Sequence, residues 1–235
     1  MLTVVILAGG LAQRLRPITE SIPKSLIEVS GRPFIAWQLD YLKSQGIENV
    51  VLCCGYLGEL IEKLIGDGSA YGLKVKYSYD GEILLGTGGA LKKALPLLEN
   101  AFFVLYGDSY LPICFKAIQE RFLYSGKLGV MTVLKNMNQW DKSNVIFENS
   151  SIVQYSKTNF NPLMHYIDYG LAIIDANIFN TLNFGSNFDL GEVYSKLADT
   201  GDLVGYEVHD RFYEIGSLKG IIEMEAYLNK INNLK

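Results

Sequence analysis

The stretch that decides the fold runs from Thr3 to Lys24 and reads TVVILAGGLAQRLRPITESIPK. Its first part, Val4 to Leu7, is an uninterrupted apolar run of a length typical of a central parallel strand buried on both faces. Small residues follow at Ala8, Gly9 and Gly10, and glycine lets backbone amides approach a ligand without an intervening Cβ atom. The stretch therefore predicts a buried strand that ends in a ligand-binding turn.

Cationic side chains follow this glycine turn. Arg14 and Arg16 come soon after it, and Pro23 with Lys24 closes the stretch. Backbone amides at a strand end, with cations behind them, suit a polyphosphate. A glycine turn alone is common, so the prediction depends on the cations. The stretch lacks both the Gly-Lys-Ser/Thr end of a phosphate loop and the third glycine of the dinucleotide fingerprint, so we expect a third kind of site.

Composition narrows the class of protein. The chain has 235 residues, 49% hydrophobic and 20% charged, which is enough to bury a full core. A formal net charge of −4 argues against a nucleic-acid partner, which needs a concentrated basic surface. No stretch is apolar enough to span a membrane and the N-terminus lacks the features of a signal peptide, so we expect a cytoplasmic protein without a membrane partner. Its three cysteines lack metal-ligand spacing and are expected to be buried free thiols.

Apolar periodicity beyond Lys24 alternates between helices and strands. It predicts helices over Pro33–Gly46 and Glu59–Ile65, and strands over Asn49–Cys54, Val75–Tyr79 and Ala101–Tyr106. This alternation is typical of a parallel sheet covered by helices, in which the strand ends and the ligand lie at one edge.

The pattern changes at Lys127, beyond which short strands dominate. It predicts strands over Gly129–Leu134 and Tyr169–Ile174, a hairpin formed by Asn144–Phe147 and Ile152–Tyr155, and a last helix after Ser217. No linker separates this part from the preceding one, so a single domain is expected.

A second glycine-rich stretch, EILLGTGGAL, runs from Glu82 to Leu91. Its glycines enclose one threonine, in the order Gly86, Thr87, Gly88 and Gly89, and a helix is predicted from Ala90 to Leu98. The alternative interpretation of such a stretch is a flexible loop that leads into a helix. Because it follows a strand at the same sheet edge as Gly9, we interpret it as a wall against which a nucleobase lies.

Two carboxylates stand where predicted strands end. Asp108 follows the strand Ala101–Tyr106, a position that suits a ligand of Mg²⁺, which prefers one or two carboxylates plus phosphate oxygens. An aspartate after a glycine is also an ordinary turn residue, so both interpretations stay open. Glu214, just before Gly216, is on its own an ordinary strand-end carboxylate.

The stretch from Leu7 to Lys24 resembles the signature of the sugar-1-phosphate nucleotidyltransferases. The matching residues are Gly9, Gly10, Arg14, Pro17, Thr19, Pro23 and Lys24. The usual family form has Gly and Thr before the arginine, where this chain has Ala12 and Gln13. The resemblance extends over nearly the whole chain.

The resemblance implies an α/β fold: a single Rossmann-like (GT-A-like) domain over residues 1–235, with a mixed, mainly parallel central sheet flanked by helices. Residues 1–126 would form the nucleotide-binding half and residues 127–235 the sugar-phosphate-binding half.

The resemblance also assigns roles to individual residues. It implies catalytic roles for Arg14 and Lys24, nucleotide binding by Leu7, Ala8, Gly9, Gly10, Gly86, Thr87, Gly88 and Gly89, sugar-phosphate binding by Lys157, Asp168 and Gly170, and Mg²⁺ ligation by Asp108 and Glu214. Similar enzymes have a turn against the sugar at Asp168–Gly170. Lys157 matches only in part, because the family has Glu and Pro beside its lysine. Glu214 stands where the family has an aspartate.

The reaction that the resemblance implies is attack of a sugar 1-phosphate on the α-phosphorus of a nucleoside triphosphate, with release of pyrophosphate and with Mg²⁺ as cofactor. The turn at Leu85–Gly89 and the short chain most resemble guanylyltransferases for mannose- or heptose-type 1-phosphates, so GTP is favoured. Uridylyltransferases and cytidylyltransferases share much of the N-terminal motif and remain alternatives. A monomer and a homodimer are both left open.

Two other classes of protein compete with this one. A dehydrogenase is disfavoured, because the third glycine is missing and cations stand where a dinucleotide site needs an acidic residue. A non-catalytic nucleotide- or sugar-nucleotide-sensing module stays open, and Glu214 is the feature that favours it.

Overall fold

The computed structural model describes residues 1–11 and 13–232. The helices are α1 Phe34–Ser44, α2 Gly58–Ile65, α3 Gly86–Ala94, α4 Phe115–Ser125, α5 Ile178–Thr181, α6 Leu190–Asp199 and α7 Leu218–Asn232. The strands are β1 Val4–Leu7, β2 Glu28–Val29, β3 Arg32–Pro33, β4 Asn49–Cys54, β5 Lys74–Tyr79, β6 Ala101–Tyr106, β7 Ser109–Tyr110, β8 Gly129–Lys135, β9 Val145–Glu148, β10 Ser151–Tyr155, β11 Tyr166–Asp175, β12 Leu203–Val208 and β13 Tyr213–Glu214.

A nine-stranded sheet with the order β5-β4-β1-β6-β11-β8-β12-β10-β9 forms the centre of the fold. β1 lies between β4 and β6 and is parallel to both, with Val5 level with Val51 and Val104. The predicted central strand is therefore confirmed, and both glycine-rich stretches lie at the carboxyl edge of these parallel strands. Strands of both predicted halves belong to this one sheet.

The sheet is mixed, as expected: β5, β4, β1, β6, β8, β12 and β9 run in one direction, and β11 and β10 run in the other. Within the described residues, β11 is antiparallel to β6, β8 and β9, and β10 is antiparallel to β9 and β12. The connection between β9 and β10 gives a physical reason. Asn149 and Ser150 both have positive φ angles, 48° and 63°, which is the geometry of a tight hairpin turn and reverses the chain direction.

Helices pack on both faces of the sheet, and alternate residues of β1 show the two faces. Val4 and Ile6 belong to the cluster that includes buried residues of α1, α2 and α4. Val5 belongs to the cluster that includes α3 and α6. Side chains of a strand alternate between faces, so a strand covered on both sides is apolar throughout.

Helix α7 packs over the N-terminal segment rather than on the sheet. Met224 and Leu228 are buried in a third cluster with Val29 and Phe34. This packing, together with the short β7–β13 ribbon, brings residues 214–217 next to the end of β6.

Three expectations on local structure need correction or comment. Helix α3 begins at Gly86 rather than Ala90. Cys53 and Cys54 are free and buried as expected, whereas Cys114 is free and exposed because it lies just outside α4. Among the described helices, none is long and apolar enough to cross a membrane.

Candidate active site

A cavity of about 570 Å³ opens at the carboxyl ends of β1, β4, β5 and β6. The predicted site residues that line it are Leu7, Ala8, Gly9, Gly10, Arg14, Lys24, Gly86, Thr87 and Asp108. Further lining residues that the sequence did not single out include Asp80, Leu84 and Tyr106. A volume of this size suits a nucleotide-sized ligand. Ala12, which stands where the family signature has glycine, lies outside the described residues.

Glycines that follow β1 and β6 allow the strand ends to approach closely. A Cβ atom on Gly9 would lie 3.0 Å from the backbone nitrogen of Gly55, and one on Gly107 would lie 2.7 Å from the carbonyl oxygen of Leu7. Gly10 differs, because no heavy atom lies within 4 Å of its Cβ position. Gly9 thus serves packing, while Gly10 leaves open space at the cavity.

Lys24 and Asp108 form an ion pair on the cavity wall. Lys24 Nζ lies 2.5 Å from Asp108 Oδ2, and the two side chains are 21% and 36% exposed. Lys24 opens a 3₁₀ turn directly after Pro23, and Asp108 follows the end of β6. The nearby backbone is held by Gln38, whose side-chain amide donates to the carbonyl oxygens of Tyr106 and Ser109 at 3.1 and 2.8 Å. Sequence reasoning did not identify this buried glutamine.

Glu214 lies beside Asp108 on the β7–β13 ribbon, where the amide of Ile215 donates to the carbonyl oxygen of Asp108 at 3.0 Å. Its carboxylate accepts hydrogen bonds from the Gly216 amide and from Ser217 Oγ. Ser217 in turn accepts from the Gly220 amide at 3.0 Å, so the predicted helix cap is confirmed. Glu214 thus faces the start of α7, and the cavity wall is formed by its neighbour Gly216.

The position of the Asp108 carboxylate on the cavity wall suits a divalent cation. The Asp108 carboxylate already binds a cationic group, the Lys24 ammonium, at the cavity wall. Within the described residues, no three His, Cys, Asp or Glu side chains are grouped to hold a metal ion. Two carboxylates completed by phosphate oxygens are a ligand set that Mg²⁺ accepts.

The three residues expected at the sugar phosphate lie just beyond the cavity. Lys157 Nζ is 5.8 Å from the centre of the Tyr106 ring, and Tyr106 lines the cavity. Asp168 and Gly170 lie inside β11 at a break in its register, so the expected turn is in fact a bulge. Gly170 has a φ angle of +103°, a conformation that favours glycine. Its amide donates to Asp168 Oδ1 at 3.0 Å.

The Asp168 carboxyl group has a raised pKa. Burial raises the pKa of Asp168 to about 6, although the Gly170 amide and the charge of Lys157 act in the opposite direction. The folded protein therefore binds the Asp168 proton more tightly than the unfolded chain does.

The raised pKa of Asp168 makes the free energy of unfolding depend on pH. Because the pKa of Asp168 is raised in the folded state, the protein is more stable when Asp168 is protonated than when it is ionised. This stabilising contribution is lost as the pH rises from about 4 to about 6. The Asp168→Asn variant does not ionise. Its free energy of unfolding relative to the wild type should increase by about 1–2 kcal/mol from pH 4 to pH 7. Urea denaturation of both proteins at the two pH values measures this, and an unchanged difference would contradict the assignment.

Asp189 links Lys157, which is expected at the sugar phosphate, to Thr87 on the cavity wall. Asp189 was not identified from the sequence. Its Oδ1 accepts from Lys157 Nζ at 2.7 Å, and its Oδ2 accepts from Thr87 Oγ1 at 3.0 Å. Burial raises the pKa of Asp189, but the hydrogen bond and charge of Lys157, with the other donors, outweigh burial and lower it overall. Asp189 also caps α6 in a capping box with Glu192. The pattern Asp-x-x-Glu before an apolar stretch was the signal available in the sequence.

We expect Asp189→Ala to destabilise the fold by about 1–2 kcal/mol, because the helix cap and the links to Thr87 and Lys157 are lost together. Asp189→Asn, which keeps an acceptor for the cap, should lose less. Asp199→Ala, at the exposed far end of α6, serves as the matched control and should change stability by less than about 0.5 kcal/mol. Chemical denaturation measures all three, and equal losses for the Asp189 and Asp199 variants would contradict the assigned role.

Only part of the second glycine-rich stretch lines the cavity, and the rest packs against residues 186–188. The amides of Gly88 and Gly89 both donate to the carbonyl oxygen of Phe188, at 3.0 and 3.3 Å. A Cβ atom on Gly88 would overlap the Phe188 ring, and one on Gly89 would overlap the Ser186 carbonyl. These two glycines therefore permit close packing of residues 186–188, and Gly86 and Thr87 form the cavity wall.

Strand ends that carry a glycine turn, cations and a carboxylate around one cavity define a phosphate-binding protein with an α/β fold. Consistent with this class, the family model described as Nucleotidyl transferase matches residues 3–142, more than half of the chain. The chain belongs to this nucleotidyl transferase family and is a sugar-1-phosphate nucleotidyltransferase, as the resemblance of its N-terminal stretch predicted.

The chain is similar both to a guanylyltransferase and to a uridylyltransferase. The D-glycero-alpha-D-manno-heptose 1-phosphate guanylyltransferase of Campylobacter jejuni is 33% identical over 199 residues, which cover 82% of this chain and 86% of that protein. The N-acetylmuramate alpha-1-phosphate uridylyltransferase of Neisseria meningitidis is 43% identical over 114 residues, which cover 48% of this chain and 49% of that protein. The crystal structure of HddC from Yersinia pseudotuberculosis complexed with GMP-PN has the same fold, with a TM-score of 0.82 and 23% identity over 97% of this chain and 100% of that one.

Proposed function

We propose that the enzyme transfers GMP from GTP to a mannose- or heptose-type sugar 1-phosphate, giving a GDP-sugar and pyrophosphate, with Mg²⁺ as cofactor. The observation that carries the transfer chemistry is the Lys24–Asp108 pair at 2.5 Å on the wall of the cavity that Gly10 leaves open. The preference for GTP and for this sugar type is supported by the likeness to the Campylobacter guanylyltransferase over most of both chains.

The cations and the glycine turn position the triphosphate. Arg14 is exposed on the cavity wall, where it would neutralise the pyrophosphate leaving group, and Lys24 would hold the α-phosphate. An oxygen of the sugar phosphate forms the new bond to the α-phosphorus as the bond to the bridging oxygen of pyrophosphate breaks. The attacking phosphate is already ionised, so no general base is needed, and catalysis consists of positioning and charge neutralisation.

Asp108 and Glu214 would hold the cation. When bound, Mg²⁺ supplies neutralisation of the charge on the reacting phosphates. A carboxylate has about four lone-pair sites, so Glu214 can coordinate while it still accepts from Gly216 and Ser217. Binding of the nucleotide metal complex would release Lys24 from Asp108 and make its ammonium available to phosphate.

The sugar phosphate would bind beyond Tyr106, where Lys157, Asp168 and Gly170 lie. Lys157 would meet the phosphate, and the carboxylate of Asp168 would accept from a sugar hydroxyl. We further propose that residues 1–235 act as one Rossmann-like domain in the cytoplasm, as a monomer or a homodimer, with residues 1–126 binding the nucleotide and residues 127–235 the sugar phosphate.

Uridylyl transfer is the second candidate. The Neisseria uridylyltransferase is 43% identical over its matched 114 residues, although the match covers only 48% of this chain. This higher identity covers slightly less than half of the chain, so it supports the shared transfer chemistry more than the choice of base.

Pyrophosphate release tests the proposal. Purified protein with Mg²⁺ is assayed with GTP, UTP, CTP, ATP and dTTP, each crossed with mannose, heptose, glucose and N-acetylhexosamine 1-phosphates. We expect release with GTP and a mannose- or heptose-type phosphate, and none when the sugar phosphate is omitted. Release confined to UTP would establish the second candidate in place of the first.

A further inference from the structure

Gln38 is a buried polar residue on the apolar face of α1. It is only 2% exposed, and burial of an amide costs free energy unless its hydrogen bonds are replaced. The other buried residues of this helix are all apolar: Phe34, Ile35, Ala36, Leu39 and Leu42. A polar side chain in this position therefore has a partner or a task that an apolar one cannot serve.

The side-chain amide of Gln38 joins the two ends of the turn that contains Asp108. Its Nε2 donates to the carbonyl oxygen of Tyr106 at 3.1 Å and to that of Ser109 at 2.8 Å. Tyr106 is the last residue of β6 and Ser109 is the first of β7, so the turn between them consists of Gly107 and Asp108. Two carbonyl oxygens directed at one point repel each other unless a donor lies between them. Gln38 therefore fixes both flanks of the turn.

The chemistry of this contact is specific to a primary amide, which offers two N–H donors on one uncharged nitrogen. The other end of the Gln38 amide gains nothing, because the buried Oε1 has no hydrogen-bond partner among the described residues. An unpaired buried acceptor offsets much of what two hydrogen bonds contribute to stability. The shape of the turn, more than the stability of the fold, is what Gln38 provides.

Two further hydrogen bonds hold the main chain within the turn. The Gly107 amide donates to the carbonyl oxygen of Leu7 at 3.0 Å, and the Ile215 amide donates to the carbonyl oxygen of Asp108 at 3.0 Å. Gln38 holds the residues on either side of these contacts. The direction in which Asp108 presents its carboxylate at the cavity wall depends on the main chain that these bonds fix together.

We propose that Gln38 is a positioning residue for the metal–nucleotide complex, because it holds the Asp108 turn in the conformation in which the carboxylate binds a divalent cation. This inference rests on the proposed function and adds to it a residue of α1 that does not line the cavity. Mg²⁺ demands nearly ideal octahedral geometry, so a small rotation of one ligand weakens its binding. Residues that orient a metal ligand typically change metal affinity 10- to 100-fold when they are replaced.

The experiment measures nucleotide affinity by isothermal titration calorimetry, with and without Mg²⁺. The ratio of the two affinities is the gain that the metal ion provides, and GTP and UTP are both titrated. We expect Gln38→Met to reduce this gain by about 10- to 100-fold. The metal-free affinity should stay unchanged, because the cations and the glycine turn that would bind the triphosphate are unaltered. A merely structural role would change the metal-free affinity as well.

The matched control is Gln45→Met, which makes the same substitution two helical turns away, just after the end of α1. Gln45 Oε1 accepts from the Phe115 amide at 3.3 Å, so this variant also loses a hydrogen bond to the main chain. It should leave the gain from Mg²⁺ unchanged. If Gln38→Met does not fold, Gln38→Asn decides. It keeps the amide on a side chain one methylene shorter and should show a smaller reduction of the gain.

The outcomes separate this inference from the proposed function. A gain from Mg²⁺ that the Gln38 variants leave intact, or that Gln45→Met reduces equally, would overturn the role of Gln38 and leave the proposed function standing. A wild type whose affinity for both nucleotides is indifferent to Mg²⁺ would overturn the inference together with the metal role of Asp108. Absence of pyrophosphate release with every substrate pair would instead contradict the proposed function, and a gain that Gln38→Met reduces would still support the role of Gln38.

Discussion

Asp108→Ala is expected to lower kcat by about a hundred- to a thousandfold. The variant removes the carboxylate that pairs with Lys24 at 2.5 Å and that we assign to the metal ion. The fold should persist, because the side chain is 36% exposed and the backbone here is held by Gln38 and Ile215. Steady-state kinetics at saturating GTP and sugar 1-phosphate measure the loss, and circular dichroism checks the fold.

A binding measurement separates this role from a structural one. Without metal, GTP should bind Asp108→Ala at least as tightly as the wild type, because Lys24 is no longer neutralised by its partner. Asp202→Ala, which removes a surface carboxylate 3.8 Å from Lys127 Nζ, is the control and should keep normal turnover. Normal turnover of Asp108→Ala would contradict the assignment.

Lys24→Met is expected to have the second large effect, again about a hundred- to a thousandfold in kcat. Methionine retains much of the side-chain length but cannot donate to a phosphate oxygen. The loss should fall on kcat more than on the KM for the sugar 1-phosphate, because Lys24 is assigned to the phosphate at which substitution occurs.

The matched control for Lys24 is Lys116→Met on α4, where the side chain is 75% exposed. Lys116 is absent from the cavity wall, so its replacement should leave kcat and both KM values unchanged. If Lys24→Met raised only the KM for GTP, Lys24 would stabilise the bound ground state and the transition state equally, which would contradict a special role in the transition state.

The nucleotide half of the sheet was largely predictable because its signals are local. The apolar run Val4–Leu7 is flanked by the glycines that its close neighbours require, and β1, β4 and β6 have the predicted bounds. The helix predicted to end at Gly46 ends at Ser44, and Gly46 follows two residues later with a φ angle of +79°. Each of these features is decided by residues within one element or its cap.

Features that depend on distant pairings were not predictable in the same way. The bulge at Asp168–Gly170 exists because β11 pairs with β6 on one side and β8 on the other. The second glycine-rich stretch met an unforeseen neighbour, since Gly88 and Gly89 are packed against residues 186–188. The local sequence of neither stretch indicates which distant segment it packs against.

Helices α4, α5 and α6 and strand β12 were not predicted, nor were the two-residue strands β2, β3 and β7, although a signal existed for α4. In α4, Phe115, Ile118 and Phe122 have helical spacing and are buried. Asp80 and Asp189 were missed for another reason: an isolated aspartate has no period, and its role depends on which strand end or helix it meets in space.

The most direct measurement of the central claim is ³¹P NMR of GTP, a mannose- or heptose-type 1-phosphate and Mg²⁺ with the purified enzyme. Attack at the α-phosphorus predicts the loss of all three GTP signals and of the sugar monophosphate signal, with growth of pyrophosphate and of a diphosphate diester. Formation of GDP and inorganic phosphate with the sugar phosphate unchanged would show cleavage at the γ-phosphorus and would contradict nucleotidyl transfer in this cavity.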